Sequence, residues 1–184
     1  LVICGATKWA EERFARHPNL KTTKECDCYW AEFAIILAAA AAPSESPPKV
    51  HLHLVGPEVS CNTHWKDPDS ALASVTCCKM EPPTMCNYLY ENRGELSPEN
   101  TCVTIMNPGF GNWNDPASSR WDLVWSYIAD LTYLADNNYI VLSTSCHHPD
   151  MQGEICVWEG ALNAKVIKAP LDNVTGACTM IGGH

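Results

Sequence analysis

Residues 102–146 read CVTIMNPGFGNWNDPASSRWDLVWSYIADLTYLADNNYIVLSTSC, and this stretch decides the fold class. Its first five residues form an apolar run that is too short for a helix and is stopped by Asn107-Pro108-Gly109, as in a buried strand. A second apolar run begins at Tyr139, after a long amphipathic segment. A strand, a helix and a strand with a continuous apolar run at each end are typical of the βαβ unit of a parallel sheet.

The segment between the two runs carries helix signals. Ser119 stands where an N-cap is expected, and Asp122 follows three residues later as a weaker form of the capping box. Asn137-Asn138 suits a left-handed C-terminal cap. We expect Asp122 and Asp130 on the solvated face. The apolar residues that recur at three- and four-residue spacing predict the buried face: Trp121, Val124, Trp125, Ile128, Leu131 and Ala135.

Alternating short apolar runs and amphipathic segments extend over the rest of the chain. Strands are predicted at residues 1–4, 50–55, 73–80 and 166–169, and helices at residues 24–42, 85–91 and 155–164. Residues 59–101 contain an irregular, Cys-containing excursion, and residues 176–184 a tail. We therefore predict a single Rossmann-like α/β domain over residues 1–184, with a mostly parallel sheet and helices on both faces.

The composition limits the function classes. The chain has 184 residues, is 46% apolar and has a net charge of −9. This acidity argues against direct nucleic-acid binding, which rests on Lys and Arg neutralising phosphates. No apolar run approaches the ~20 residues of a membrane span, so none is predicted. Because the first residue is Leu1 rather than Met, we expect a processed or excised piece.

Eleven cysteines allow two interpretations. Cys4, Cys102 and Cys146 lie in or beside predicted core strands, where a free thiol behaves as a small hydrophobe. This favours reduced thiols in a protein with its own core. The odd count and the sequon at Asn173-Val174-Thr175 keep a secreted, Cys-rich protein open as an alternative.

The carboxyl ends of the predicted strands are where a parallel sheet binds a ligand. The pocket residues predicted there are Gly5, Thr7, Glu58, Asn107 and Gly109. Neither a dinucleotide fingerprint nor a Walker loop follows a strand, and no cofactor is predicted. A methyltransferase-like enzyme needs only a Gly-bearing loop and an acid such as Glu58 on a ribose hydroxyl, and stays open as an alternative.

Other chemical groups give weaker signals. Cys26, Cys28, Cys77, Cys78, Cys86, Cys146 and the adjacent His147 and His148 are metal donors in principle, but no pair of C-x-x-C knuckles is present, so no metal site is predicted. His51 and His53 share a strand face that we expect on a partly solvated edge. Cys146 and His148 are the best nucleophile and base, but neighbours in sequence diverge, and no catalytic residue is predicted.

Two of the seven tryptophans stand in predicted loops rather than on predicted core faces. They are Trp65 and Trp113. Aromatic residues exposed in loops are enriched at protein interfaces. We therefore predict that both contribute to an interface, with packing over the ends of the sheet as the alternative.

The order of the loop motifs resembles the C-terminal domain of MYND zinc-finger proteins of the mitochondrial splicing suppressor type. The motifs that carry the resemblance are Gly5-Ala6, Ala10-Glu11, Trp30, Gly56-Pro57-Glu58, Asn107-Pro108-Gly109, Trp121 and Thr144. The MYND finger itself is absent from this chain. The resemblance implies a Rossmann-like domain without established catalytic residues. It also implies a non-catalytic interaction or scaffold module that contacts other protein subunits of a larger assembly inside the cell, in mitochondria or the cytoplasm.

Overall fold

The fold is taken from a computed structural model of the chain. The structure describes residues 1–4, 49–56, 63–66, 73–79, 84–117, 119–145, 147–171 and 177–182. The predicted helix at residues 24–42 lies outside them. The chain divides into two compact units, Leu1–Thr84 and Met85–His184.

Four strands form the described part of the first unit: β1 (Val2–Cys4), β2 (Val50–Gly56), β3 (Thr63–Lys66) and β4 (Ala73–Lys79). Strand β2 lies between β1 and β4 and is parallel to both, with Ile3 opposite Leu54 and Leu54 opposite Cys77. The predicted strands at residues 1–4, 50–55 and 73–80 are thus confirmed. Strand β3 is antiparallel to β4 and lies within the segment expected to be irregular, so that expectation was wrong for Thr63–Lys66.

The central position of β2 corrects the prediction for its histidines. Leu52 and Leu54 are fully buried, and His53 on the other face is also only 6% exposed. The rings of His51 and His53 stack with their centroids 4.2 Å apart. Because β2 has a strand on each side, the pair does not lie on a sheet edge. A parallel strand with both faces covered loses the alternation of buried and solvated positions.

The second unit begins with helix α1 (Met85–Glu91), which was predicted, and continues with the βαβ unit of the opening stretch. Strand β5 (Cys102–Met106) is parallel to β6 (Ile140–Ser145), with Val103 opposite Val141. A 3₁₀ turn (Phe110–Asn114) and helix α2 (Trp121–Asp136) connect the two strands. The α/β class and the parallel pairing at this unit are therefore confirmed.

The carboxyl-terminal part differs more from the prediction. Helix α3 covers His148–Ile155 and passes directly into a π-helical turn, Cys156–Ala161, whereas the helix was expected to start only at residue 155. Strand β7 (Lys165–Leu171) matches the predicted last strand. The expected tail instead contains β8 (Ala177–Gly182), which is antiparallel to both β6 and β7. Within the described residues, each unit thus contains antiparallel as well as parallel strand pairs.

The core of the second unit comes from both strands of the βαβ unit and from the helices. Val103 and Ile105 on β5 and Val141 on β6 are buried, as continuous apolar runs require. The other fully buried large side chains of this unit are Met85, Leu89, Phe110, Leu131, Leu134 and Trp158. Phe110 lies edge-on to Trp158, with 6.3 Å between the ring centroids, and so joins the 3₁₀ turn to the π-helical turn.

Candidate functional site

The predicted strand-end pocket is described only in part. Gly5, Thr7 and Glu58 lie outside the described residues, whereas Asn107 and Gly109 lie in the loop after β5. Asn107 is exposed and has a φ of 47°, a left-handed conformation that Asn tolerates better than most residues. Its backbone N–H donates to the carbonyl oxygen of Thr144 over 2.9 Å and to Oγ1 of Thr144 over 3.0 Å. The Thr144 hydroxyl also donates to the Asn107 side chain over 3.2 Å, so the ends of β5 and β6 are tied together.

Gly109 is buried against the protein itself. Its φ of 70° places it in the left-handed region, which glycine adopts without a steric penalty. A Cβ at this position would lie 3.1 Å from the Asn112 amide nitrogen and 3.3 Å from a methyl group of Leu123. The glycine therefore serves the turn and its packing on α2. It does not present a bare backbone for a ligand to approach.

A second glycine pair brings the 3₁₀ turn against α3. Gly111 and Gly153 face each other so closely that a Cβ on either would overlap the other element's backbone, at the Asp150 carbonyl or the Gly111 carbonyl. Both glycines are buried. Their spacing of 42 residues along the chain carries no periodic signal, and the sequence alone did not predict the contact.

Helix α3 carries two buried carboxyl groups that were not predicted. Asp150 and Glu154 are one helical turn apart and are 0% and 2% exposed, respectively. The Ser143 hydroxyl of β6 donates to Oε2 of Glu154 over 2.8 Å. The pKa of Glu154 is raised to about 8, chiefly by burial and also by the nearby Asp150 carboxylate, against the opposing effect of hydrogen bonds from Ser143 and Ser145. Glu154 is therefore mostly protonated at neutral pH.

The carboxyl groups of Asp150 and Glu154 lie in the interior of the second unit. A neutral carboxyl group near the end of a strand suits acid catalysis in chemical terms. Glu154, however, is almost completely enclosed, and its described hydrogen bond is to Ser143. The α-helix changes to a π-helical turn at Cys156, two residues after Glu154. The arrangement explains how β6 and α3 are joined and assigns no group that touches a substrate.

The predicted base, His148, is the first residue of α3, and the predicted nucleophile, Cys146, precedes it by two residues in the sequence. Nδ1 of His147 caps the helix by accepting the backbone N–H of Asp150 over 3.2 Å. Since Nδ1 is the acceptor, the ring proton of the neutral imidazole is on Nε2. His148 is exposed, and Cys146 lies outside the described residues, so the Cys146–His148 pair stays untested. Cys102 and Cys156 are free thiols, and burial raises the pKa of the Cys102 thiol.

The outer face of α2 carries the largest exposed aromatic side chains of the second unit. Trp121 is 49% exposed and Trp125 is 68% exposed, and they lie one helical turn apart. The half-buried Trp113 of the 3₁₀ turn stacks on Trp121 with 4.9 Å between the ring centroids. We call Trp113, Trp121 and Trp125 the tryptophan surface. Trp113 was one of the two predicted interface residues; the other, Trp65, lies in strand β3 rather than in a loop.

The exposure of this surface corrects the predicted helix face. Helix α2 buries Val124, Leu131, Leu134 and Ala135, but it turns Trp121 and Trp125 outward. Asp130, expected to be solvated, is 6% exposed and accepts the backbone N–H of Cys86 over 2.8 Å. The first turn also differs, since α2 begins at Trp121 and Ser119 makes no capping bond. Asn138 does adopt the predicted left-handed conformation, with a φ of 59°.

An ion pair lies at the amino-terminal end of the tryptophan surface. The Arg120 guanidinium binds both carboxylate oxygens of Asp122, from Nε over 2.8 Å and from Nη2 over 2.7 Å. The pairing lowers the pKa of Asp122 through the hydrogen bond and raises that of Arg120. Both side chains are at least half exposed, so this pair contributes little stability on its own.

Over the part of the chain that the structure describes, no cluster of three or more His, Cys, Asp or Glu side chains has the geometry of a metal site. Within the same residues, no helix combines the length and apolar character that crossing a bilayer requires. Comparison with protein-family models, with curated proteins and with solved structures finds no match.

Proposed function

We propose that this chain is a non-catalytic protein-interaction module, a subunit of a larger assembly that contacts other protein subunits through the tryptophan surface. The observation that carries the proposal is the exposure of Trp121 and Trp125 on one face of α2. Tryptophan is the residue type most typical of interface hot spots, and two of them on one helix face form an anchor at helical spacing.

The energetics favour a covered state. Fully burying a large apolar side chain gains roughly 1.5–3 kcal/mol relative to leaving it in water. Trp125 keeps 68% of its surface in contact with water in the isolated chain, and Trp121 keeps 49%. A partner that covers both side chains thus recovers a substantial part of that free energy, which isolated folding leaves unused.

The surface is organised before a partner arrives. The Trp113 ring packs on Trp121 at an interplanar angle of 30°, which restricts the rotamers of Trp121. Trp125 stands on a regular helix whose opposite face is anchored by Leu131 and Leu134. An anchor that is already ordered loses less conformational entropy on binding. This supports a role in recognition rather than a surface that merely tolerates aromatic residues.

We further propose that the chain is Rossmann-like and related in architecture to the C-terminal domain of MYND-type proteins, acting in mitochondria or the cytoplasm. The support is the parallel β5–α2–β6 unit and the left-handed turn at Asn107-Pro108-Gly109. A methyltransferase-like enzyme ranks second. It receives less support from the described residues because Gly109 packs on Leu123 and Glu154 is enclosed.

Affinity purification of three tagged chains tests the proposed function. The wild type is compared with Trp125→Ala and with Tyr90→Ala, which removes a 56% exposed aromatic side chain from α1 as a matched control. We expect the same co-purifying proteins with the wild type and Tyr90→Ala, and their loss with Trp125→Ala. Unchanged recovery with Trp125→Ala would contradict the proposal, provided that circular dichroism shows a folded variant.

A further inference from the structure

Two neighbouring residues of α3 hold this helix against the rest of the second unit. The backbone of Gly153 touches that of Gly111 in the 3₁₀ turn, so closely that a Cβ on either glycine would overlap the other element. Glu154, the next residue, accepts a hydrogen bond from the Ser143 hydroxyl of β6 at its Oε2 atom over 2.8 Å. The first contact has no ionisable group, whereas the second depends on a carboxyl group that is 2% exposed.

The elements packed on α3 bring no positive charge to Glu154. In the described part of the chain these elements are the 3₁₀ turn, the π-helical turn, β6 and β8, and none of them contains lysine, arginine or histidine. Their ionisable residues are the exposed Cys156 and Glu159 of the π-helical turn and Cys178 of β8. Cys178 is paired with Thr144, not with Ser143, in the register of β6 and β8. These elements therefore offer Glu154 no cation that would stabilise its ionised form.

The second carboxyl group of α3 makes ionisation of Glu154 harder still. Asp150 lies one turn earlier and is 0% exposed, and two buried carboxyl groups this close resist carrying two charges at once. The pKa of Glu154 is accordingly raised to about 8 from its ordinary value of 4.5, chiefly by burial and also by the Asp150 carboxylate. Glu154 thus keeps its proton at neutral pH as long as it stays enclosed, and loses it when it reaches water.

The histidine that caps α3 responds to pH in the opposite direction. Nδ1 of His147 accepts the backbone N–H of Asp150 over 3.2 Å, and a protonated imidazole cannot accept this bond. Acid therefore weakens the cap, whereas alkali weakens the contact through Glu154. The neighbouring His148 is exposed. The direction of the pH change thus separates the contribution of His147 from that of Glu154.

We propose that Glu154 makes α3 a pH-sensitive conformational switch: its protonated carboxyl group keeps α3 and the π-helical turn on β6, and loss of the proton releases this segment. The pairing of β5 with β6 and the hydrogen bond between α1 and α2 do not involve α3, so the rest of the second unit stays folded. Release separates the buried rings of Phe110 and Trp158 and uncovers their apolar surface. The π-helical turn supports this role, because such turns are rare and occur frequently at functional sites.

Proton binding sets the direction and the size of the change. Glu154 loses its proton near pH 8 when it is enclosed and near its ordinary value of 4.5 when it is released. Between these values the enclosed state holds one more proton, so each added pH unit raises the ratio of released to enclosed molecules by up to about tenfold. This inference does not depend on the proposed function, because it concerns α3 and not the tryptophan surface.

Hydrogen exchange of the wild type at pH 6.5 and at pH 8 tests the switch, after correction for the intrinsic effect of pH on amide exchange. We expect the protection of the α3 amides to fall about tenfold or more between the two pH values. At pH 8 these amides should exchange at least about tenfold faster than those of β5. Unchanged protection of α3 would overturn the inference, and so would equal protection of α3 and β5, which would mean that the whole unit unfolds together.

Three variants assign the effect to Glu154. Glu154→Gln should abolish the fall in protection, and Asp150→Asn should at least halve it, because only one buried charge then forms. Glu159→Gln is the matched control, since it removes an exposed carboxyl group five residues later and should keep the wild-type fall. A full fall in Glu154→Gln, or its loss in Glu159→Gln, would overturn the inference. If Glu154→Gln does not fold, the comparison of α3 with β5 in the wild type still decides the question.

Discussion

The Asp130 carboxylate accepts a hydrogen bond from the backbone N–H of Cys86 over 2.8 Å, and it does so on the buried face of α2. Cys86 lies in the first turn of α1, where backbone N–H groups have no partner within their own helix. The carboxylate satisfies one of them from another helix. With Asp130 turned inward beside Leu131 and Leu134, Trp121 and Trp125 turn outward.

Asp130→Ala should destabilise the second unit by about 1–3 kcal/mol, because it removes the carboxylate that accepts a partly buried N–H of α1. Asp130→Asn keeps an acceptor oxygen of the same size and should cost less. Urea denaturation of the two variants gives the difference. Faster hydrogen exchange at the Cys86 amide in Asp130→Ala would locate the effect, whereas equal stability of Asp130→Ala and the wild type would show that the contact contributes nothing.

Trp125→Ala should change the free energy of unfolding of the monomer by no more than about 0.5 kcal/mol, because the side chain is mostly exposed. Leu131→Ala on the opposite face should cost about 2–5 kcal/mol, through lost burial and a cavity. Denaturation at low protein concentration compares the two variants. A cost above about 2 kcal/mol for Trp125→Ala would place that side chain in the core.

Trp125 and Leu131 lie on opposite faces of α2, although the sequence pattern predicted both on the buried face. The pattern thus located the helix but not its buried face. Periodicity located the helix and its strands because β5 and β6 are continuous apolar runs bounded by turn residues. It misassigned the face because tryptophan counts as apolar and aspartate as polar, whereas here Trp121 and Trp125 are exposed and Asp130 is buried with a long-range hydrogen bond from Cys86. Capping of α1 by another helix leaves no local pattern in the sequence.

The stability of the second unit should fall as pH rises between about 4.5 and 8. Unfolded Glu154 loses its proton near the ordinary glutamate value of 4.5, but burial raises the pKa of the folded group to about 8. Between these values the folded state holds one more proton, so the group lowers stability by up to about 1.4 kcal/mol per pH unit. Below about pH 4.5, Glu154 is protonated in both the folded and the unfolded state, so it does not change the dependence of stability on pH.

Glu154→Gln keeps the shape of the side chain and removes its titration. Urea midpoints measured at several pH values for the wild type and this variant isolate the contribution of Glu154 from that of all other groups. The wild type should lose stability relative to Glu154→Gln as pH rises through the window. Parallel curves for the two proteins would contradict a raised pKa of this carboxyl group.

Gly153→Ala should destabilise the second unit by about 1–3 kcal/mol, because the added Cβ would overlap the backbone of Gly111. Gly160→Ala is the matched control in the following helical turn, since a Cβ there meets no atom within 4 Å. The control should be neutral or stabilising by up to about 1 kcal/mol. Thermal denaturation of both variants tests the contact; equal melting temperatures would argue against close packing of the 3₁₀ turn on α3.

The strand ends show the same division between local and non-local information. The turn after β5 was predictable, because Asn107-Pro108-Gly109 is a turn signal and both Asn107 and Gly109 adopt left-handed conformations. The burial of Asp150 and Glu154 was not predictable, because two acidic residues one helical turn apart normally indicate a solvated face. Their burial follows from the approach of Gly111 to Gly153 and from the Ser143 hydroxyl, which come from distant parts of the chain.

Photo-crosslinking from position 125 tests the central claim most directly, because it reports what covers the tryptophan surface in the living cell. A benzophenone amino acid is placed at position 125 and, in a control chain, at position 90. We expect crosslinked protein adducts from position 125 and none of these from position 90. Absence of adducts from position 125, or the same adducts from both positions, would contradict the account.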